Sequence, residues 1–158
     1  MLARTEQMAE DELVIECEFD APVALVWRIW SDAAHLKRWF GPTDFTCPVF
    51  ELDFREGGRY RALIRAERYG DSWFGGTFRT IRPHREIVMS FAWEEGSGET
   101  HDTTITVTFS ERDGKTLLRF HQAPFPDVGS RDSHYDGWSE CLDKGLAYGE
   151  RLAEETGR

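Results

Sequence analysis

The residue types in this chain able to move protons or hold metals are five histidines, three cysteines and scattered carboxylates. None falls into a pattern that specifies such chemistry. His35, His84, His101, His121 and His134 show no H-x-x-x-H spacing, and Cys17, Cys47 and Cys141 form no C-x-x-C pair, so no zinc or other metal site is expected. Each histidine reads as solvent-exposed or structurally bonded. A nucleophile elbow, a Walker loop and a dinucleotide fingerprint are all missing from the sequence, and no cofactor is implied. Gly57-Gly58 and Gly75-Gly76 precede no helix, so they lack the backbone donors of a phosphate cradle and read as turn and strand-bulge glycines. Asp53 and Arg55 share a strand face, which suits a surface ion pair. Catalytic residues are therefore unknown from the sequence.

The stronger chemical signal is apolar. Aromatic residues make up 13% of the chain, and large rings either fill cores or line cavities. Phe50, Phe54, Tyr60, Met89, Phe91, Trp93, Leu118 and Phe120 fall on strand positions of one parity, assigned to the inner face. Gln122 shares that parity and is the one polar side chain so placed. A buried amide without a partner costs about 1–3 kcal/mol, so Gln122 is expected to bond backbone, water or ligand. Trp73 can face either way, because Gly75-Gly76 can shift the register.

The elements that must position these residues are legible as changes of period. Residues 1–12 are polar and read as a tail, followed by one domain over 13–158. Leu13, Ile15, Cys17 and Phe19 alternate as a half-buried strand. Asp20 before Ala21-Pro22 reads as a helix cap, with Val23, Val26, Trp27 and Trp30 at helical spacing. Ser31 or Asp32 can cap a second short helix, which Gly41-Pro42 stops just after Trp39 and Phe40. One of those two rings packs under the helix and the other borders an entrance, and the sequence does not assign which.

From Phe45 onward the period is two. About six strands follow one another through short turns, including Ile87, Met89, Phe91 and Trp93 and a hairpin at Asp113-Gly114. The strand before the helices can pair with the end of that meander. A final helix over 132–155 carries the stripe Trp138, Cys141, Leu142, Gly145, Gly149 and Leu152. Each helical glycine costs about 0.8–1.0 kcal/mol relative to alanine, so close packing or space for a ligand must account for Gly145 and Gly149.

A formal net charge of −10 excludes the basic footprint of a nucleic-acid binder and disfavours anionic membranes. Three scattered cysteines fit a reduced compartment, MLARTEQMAEDEL lacks the pattern of a signal peptide, and no apolar run is long enough to span a bilayer. The expectation is a cytoplasmic protein, monomer or homodimer.

The segments FDAPVALVWRIWSDAAHLKRWFGP, ELDFREGGRY, FRTIRPHREIVMSFAW, TTITVTFSERDGKTLLRFHQAPFP and HYDGWSECLDKGLAYGERL, in that order, resemble the START-like (SRPBCC, helix-grip) superfamily. The resemblance is in particular to proteins related to the activator of the heat-shock chaperone ATPase. It covers about residues 13–153 and implies an α+β helix-grip fold. In that fold a curved antiparallel sheet of about seven strands holds a long C-terminal helix, with two short helices between strands one and two. It also implies a pocket between sheet and helix, which relatives use for lipids, polyketides, hormones or aromatic compounds. Eukaryotic chaperone activators carry a further N-terminal domain, and about a dozen polar residues stand before the first strand here, so a chaperone-activating role is not carried over.

The expected function is non-enzymatic binding of a small apolar, aromatic or lipid-like molecule in that cavity. A cyclase, dehydratase or hydrolase using the same cavity and a chaperone-associated protein-binding module are the alternatives. The expected cavity residues are Trp39, Phe40, Phe50, Phe54, Tyr60, Trp73, Met89, Phe91, Trp93, Leu118, Phe120, Gln122, Trp138, Leu142 and Gly145.

Overall fold

The alternating segments pair into one antiparallel sheet, seen in a computed structural model that describes residues 4–5 and 9–157. The strands are β1 (Arg4–Thr5), β2 (Leu13–Phe19), β3 (Thr46–Leu52), β4 (Arg59–Ala66), β5 (Gly70–Arg82), β6 (Glu86–Trp93), β7 (Thr103–Arg112) and β8 (Lys115–Ala123). Helices α1 (Val23–Ser31) and α2 (Ala33–Trp39) separate β2 from β3, and α3 (Val128–Glu155) closes the chain. The order across the sheet is β1-β2-β8-β7-β6-β5-β4-β3. Consecutive strands β3 to β8 form the meander, and β2 returns to pair with β8, Ile15 opposite Phe120. Seven of the strands curl into a half-barrel around α3, an α+β helix-grip arrangement. Of the segment expected as a tail, residues 1–3 and 6–8 lie outside the described residues, while Arg4–Thr5 pair with β2.

Turn chemistry sets the meander. Asp113 and Gly114 both adopt positive φ, 56° and 77°, the geometry of a two-residue hairpin turn whose twist matches its strands. One strand face is wet: Arg61 pairs with Glu94, Arg65 with Asp71, and Arg55 with Asp53. The other face meets α3 in a single apolar cluster that runs from Leu13 through Phe78 and Phe120 to Ala153.

Two helix starts differ from expectation. Asp20 does not cap α1; the N-cap is Pro22, and the first free donor, Val23 N–H, bonds the Glu111 carboxylate at 2.7 Å. The cap lies two residues past Asp20, at a proline with no side-chain acceptor, and a distant strand end supplies one. Helix α3 begins a turn earlier than expected, because the Asp127 carboxylate accepts from Ser130 N–H at 2.7 Å. Asp32, one of the two candidates, caps α2 through Ala34 N–H. Among the described residues no helix is long and apolar enough to cross a membrane.

Candidate functional site

The end of α2 splits two adjacent rings. Trp39 is the last helical residue, and Phe40 is already extended at the C-cap, its N–H bonded to Leu36 O at 3.0 Å. Gly41 follows at φ 111°, a backbone that side chains avoid, and Pro42 cannot continue the helix. Trp39 therefore turns into the protein, with Nε1–H donating to Ile29 O at 3.0 Å and the ring against Trp30. Phe40 turns toward the sheet, stacked on Phe74 at 5.6 Å and edge-on to Trp138 at 5.5 Å. Of the pair, Phe40 borders the cavity.

That cavity has a volume of about 410 Å³ and opens between the α2–β3 connection, the β4–β5 turn, the 94–101 loop and the first half of α3. Phe40, Phe45, Phe74, Phe91, Trp93 and Trp138 give its aromatic walls, with Ile64 and the exposed Tyr69 at one side. Phe45 and Tyr69 stack face to face at 5.9 Å. The loop wall is folded by its own bonds: Ser97 Oγ accepts from Trp73 N–H at 2.9 Å, and Gly98 lies so close to the Trp93 ring that a Cβ would sit 2.6 Å from it. The helix wall consists of Ser133, His134, Gly137, Trp138 and Cys141, spaced to fall on one side of α3.

His134, Gln122, Cys141 and Tyr60 are engaged by the protein itself. Trp93 Nε1–H donates to His134 Nε2 at 2.9 Å, and His134 Nδ1–H donates to Ser130 O at 2.8 Å, so both ring nitrogens are engaged. Gln122 is fully buried, but its partners are side chains rather than a ligand. Its amide N–H donates to Thr103 Oγ1 at 2.8 Å, and its carbonyl accepts Trp138 Nε1–H at 2.8 Å. Thr103 in turn donates to Phe91 O at 3.2 Å, so one chain of bonds ties α3 to β8, β7 and β6. Burial pushes the Cys141 thiol up to about 12, while Gly41 N–H donates to its sulfur at 3.3 Å. Such a thiol is protonated at neutral pH and is a poor nucleophile. Burial likewise raises the Tyr60 hydroxyl, which donates to Ser90 O at 2.7 Å.

The expected cavity residues thus separate by depth. Phe40, Phe91, Trp93 and Trp138 face the 410 Å³ cavity. Phe50, Tyr60 and Met89, with Phe40, Phe91 and Trp138, surround a residual void of about 20 Å³ in the grip itself. Gln122 faces a pinhole of about 10 Å³ with Ser130 and His101. Leu118, Phe120 and Leu142 are fully buried core, and Phe54 packs at the other end against Trp27 and Phe78. Trp73 is not inside: it lies on the outer face, opposite Leu63, under the Arg61 guanidinium at 3.8 Å. Trp39 is core, and Gly145 exists for close packing, since a Cβ there would stand 2.8 Å from the Trp39 ring. Close packing also accounts for Gly149, beneath Phe19 and Ile29.

The remaining histidines sit apart from this cavity. His35 bonds Tyr148 at 2.6 Å, His121 donates to Glu12, His101 donates to Pro124 O, and His84 occupies a turn with φ 65°. Sequence reasoning missed Phe45, Tyr69, Phe74, His134, Gly137 and Cys141 as wall residues. The available signal was helical spacing: four positions upstream of Trp138 is His134, and four upstream of Cys141 is Gly137.

Three comparisons bear on this geometry. A family profile described as Activator of Hsp90 ATPase homolog 1-like protein matches residues 20–147. Among solved structures, a protein from Chromobacterium violaceum is 26% identical, with TM-score 0.81 over 89% of this chain and 97% of that one. The AHSA1 protein from Silicibacter pomeroyi is 22% identical, with TM-score 0.78 over 91% of this chain and 99% of that one. A protein from Arthrobacter aurescens is 20% identical, with TM-score 0.83 over 96% and 93%. A search of curated proteins found no match. The strand order, the gripped helix and the profile match over most of the domain agree: this chain belongs to the family of Activator of Hsp90 ATPase homolog 1-like proteins.

Proposed function

We propose that the chain binds a small apolar or aromatic molecule, without transforming it, in the cavity at the open end of the grip. The observation that carries this reading is a space of about 410 Å³ walled by aromatic rings, in a protein whose grip is otherwise filled. Its size and its few polar groups are those of small-molecule sites. The groups facing it are poorly placed for proton transfer. Both His134 ring nitrogens are engaged, the Cys141 thiol is held protonated, and Glu99 and Tyr69 stand exposed at the rim. A protein-docking role has less support, since the most exposed large apolar side chains among the described residues, Tyr69, Leu117 and Val128, sit on the β4–β5 turn, β8 and α3 respectively.

The test uses the intact chain, native mass spectrometry of freshly purified protein, and thermal shifts against a panel of apolar and aromatic compounds. Expected are a retained molecule or a concentration-dependent rise in Tm, since a ligand at a hundred times its Kd stabilises by about 2.7 kcal/mol. Gly137→Phe, which directs a ring into the cavity from a helix position with room for a Cβ, is expected to abolish that shift. Absence of any retained molecule and of any shift across the panel overturns the reading.

A further inference from the structure

Resting on that reading, we infer the charge of the occupant: the cavity selects an organic cation, an amine or ammonium on an apolar body, over an anionic amphiphile of the same shape. The lining holds no lysine and no arginine, and its single carboxylate is Glu99, on the loop at the mouth. Both nitrogens of the one imidazole in the lining are taken by the protein, Nε2 by Trp93 Nε1–H and Nδ1 by Ser130 O, so neither offers an N–H to an anion in the cavity. An anion entering here would leave water and meet no charged donor, which is costly. A cation would instead sit among aromatic rings, which attract it through their quadrupoles, beside the Glu99 carboxylate.

Two cations stand nearby, and neither lines the cavity. The Lys144 ammonium donates to the carbonyls of Pro42 and Phe45, at 3.2 and 2.8 Å, and does not line the cavity. The Arg68 guanidinium lies 5.4 Å from the centre of the Tyr69 ring, so that rim ring already holds a cation and is not counted as a binding face. The formal net charge of −10 adds a background potential of the same sign preference.

The experiment is calorimetric titration of the full chain with naphthylmethylamine, naphthylmethanol and naphthylacetate, three probes of one ring system and three charges. The amine is expected to bind about tenfold tighter than the acid at low salt, with the alcohol between them. Added salt narrows that gap. Glu99→Gln is expected to reduce the ratio of amine to alcohol affinity, and Glu99→Lys to bring the acid ahead of the amine. Because Glu99 is an exposed loop residue, neither change threatens the fold. An acid that binds as well as the amine, or a ratio indifferent to both substitutions, overturns the charge inference while leaving a binding cavity in place. Absence of binding by all three probes, with no shift across the wider panel, overturns both.

Discussion

The grip has two ends built from the same kinds of residue, and they differ in what stands opposite the sheet. Toward Trp30, Phe78, Ile87 and Ile105 the space is packed to a remnant of about 20 Å³, whereas under Phe40, Trp93 and Trp138 about 410 Å³ stays open. Aromatic rings line both. At the packed end α1 and α2 present Trp30 and Leu36 to the sheet. At the open end the opposing backbone offers Gly41, Ser133 and Gly137. A cavity therefore follows from small residues facing an aromatic wall rather than from the wall alone.

The sharpest break of that contrast is at Trp39, which serves the packed end although its neighbour Phe40 serves the open one. Trp39→Ala removes a buried ring and its bond to Ile29 O, and is expected to cost about 3–5 kcal/mol in denaturant unfolding. Ligand binding by the folded fraction should persist. A loss of affinity at unchanged stability would move Trp39 to the rim.

Cys141 asks whether the open end is dry where its wall meets the helix. With its thiol pushed up to about 12, it should react with a small alkylating reagent at pH 8 at least about a hundredfold more slowly than the same thiol in the unfolded chain. The rate should climb with pH toward that value. Burial raises Cys17 and Cys47 as well, to about 12 and 11 from an ordinary value near 9.0. Each thiol ionises more readily unfolded, so this contribution to stability is complete below about pH 9 and is lost as the pH rises toward 11–12. A flat stability profile from pH 8 to about 11 would show these sites to be wet.

Between the two ends runs the bond chain through Gln122. Gln122→Leu leaves the Trp138 indole N–H without an acceptor and removes the donor to Thr103 Oγ1, which is expected to destabilise by about 1–3 kcal/mol. Trp138 also walls the cavity, so ligand affinity should fall with it. Unchanged stability together with unchanged affinity would show that the network positions nothing.

What the sequence revealed, and what it hid, follows the same division. Strand parity fixed which residues face α3: Phe91, Trp93, Phe120 and Gln122 all do. Local turn chemistry at Asp113-Gly114 and the return of the first strand to the last were equally readable. Depth was not, because parity names a face and says nothing of what packs against it. Leu118, Phe120 and Leu142 meet filled space, while Phe91 and Trp93 meet a void. Trp73 was ambiguous for a local reason. Gly75 and Gly76 sit where a Cβ would collide with the backbone at Tyr60 and at Ser90, and these two glycines carry no side chains to reveal the parity of the strand. Tyr69 and Phe45 lie in connections, where no period operates.

The smallest effects give the cleanest comparison, because they come from one substitution at two positions of one helix. Gly145 and Gly137 both lie inside α3, so replacing either with alanine removes a conformational cost of up to about 1 kcal/mol. At Gly145 the added methyl would stand 2.8 Å from the Trp39 ring, which is fully buried and tethered to Ile29 O. Overpacking of that kind costs about 1–3 kcal/mol, so Gly145→Ala is expected to be neutral to destabilising. At Gly137 the nearest atom is Pro42 Cγ at 3.7 Å, an ordinary contact, and the methyl would project beside the open space. Gly137→Ala is thus expected to stabilise by several tenths of a kcal/mol up to about 1 while narrowing the cavity. Paired denaturant unfolding curves read both. Equal shifts of the same sign would mean that the helix meets the same packing at both ends, and the division of the grip into a filled half and an open half would fail.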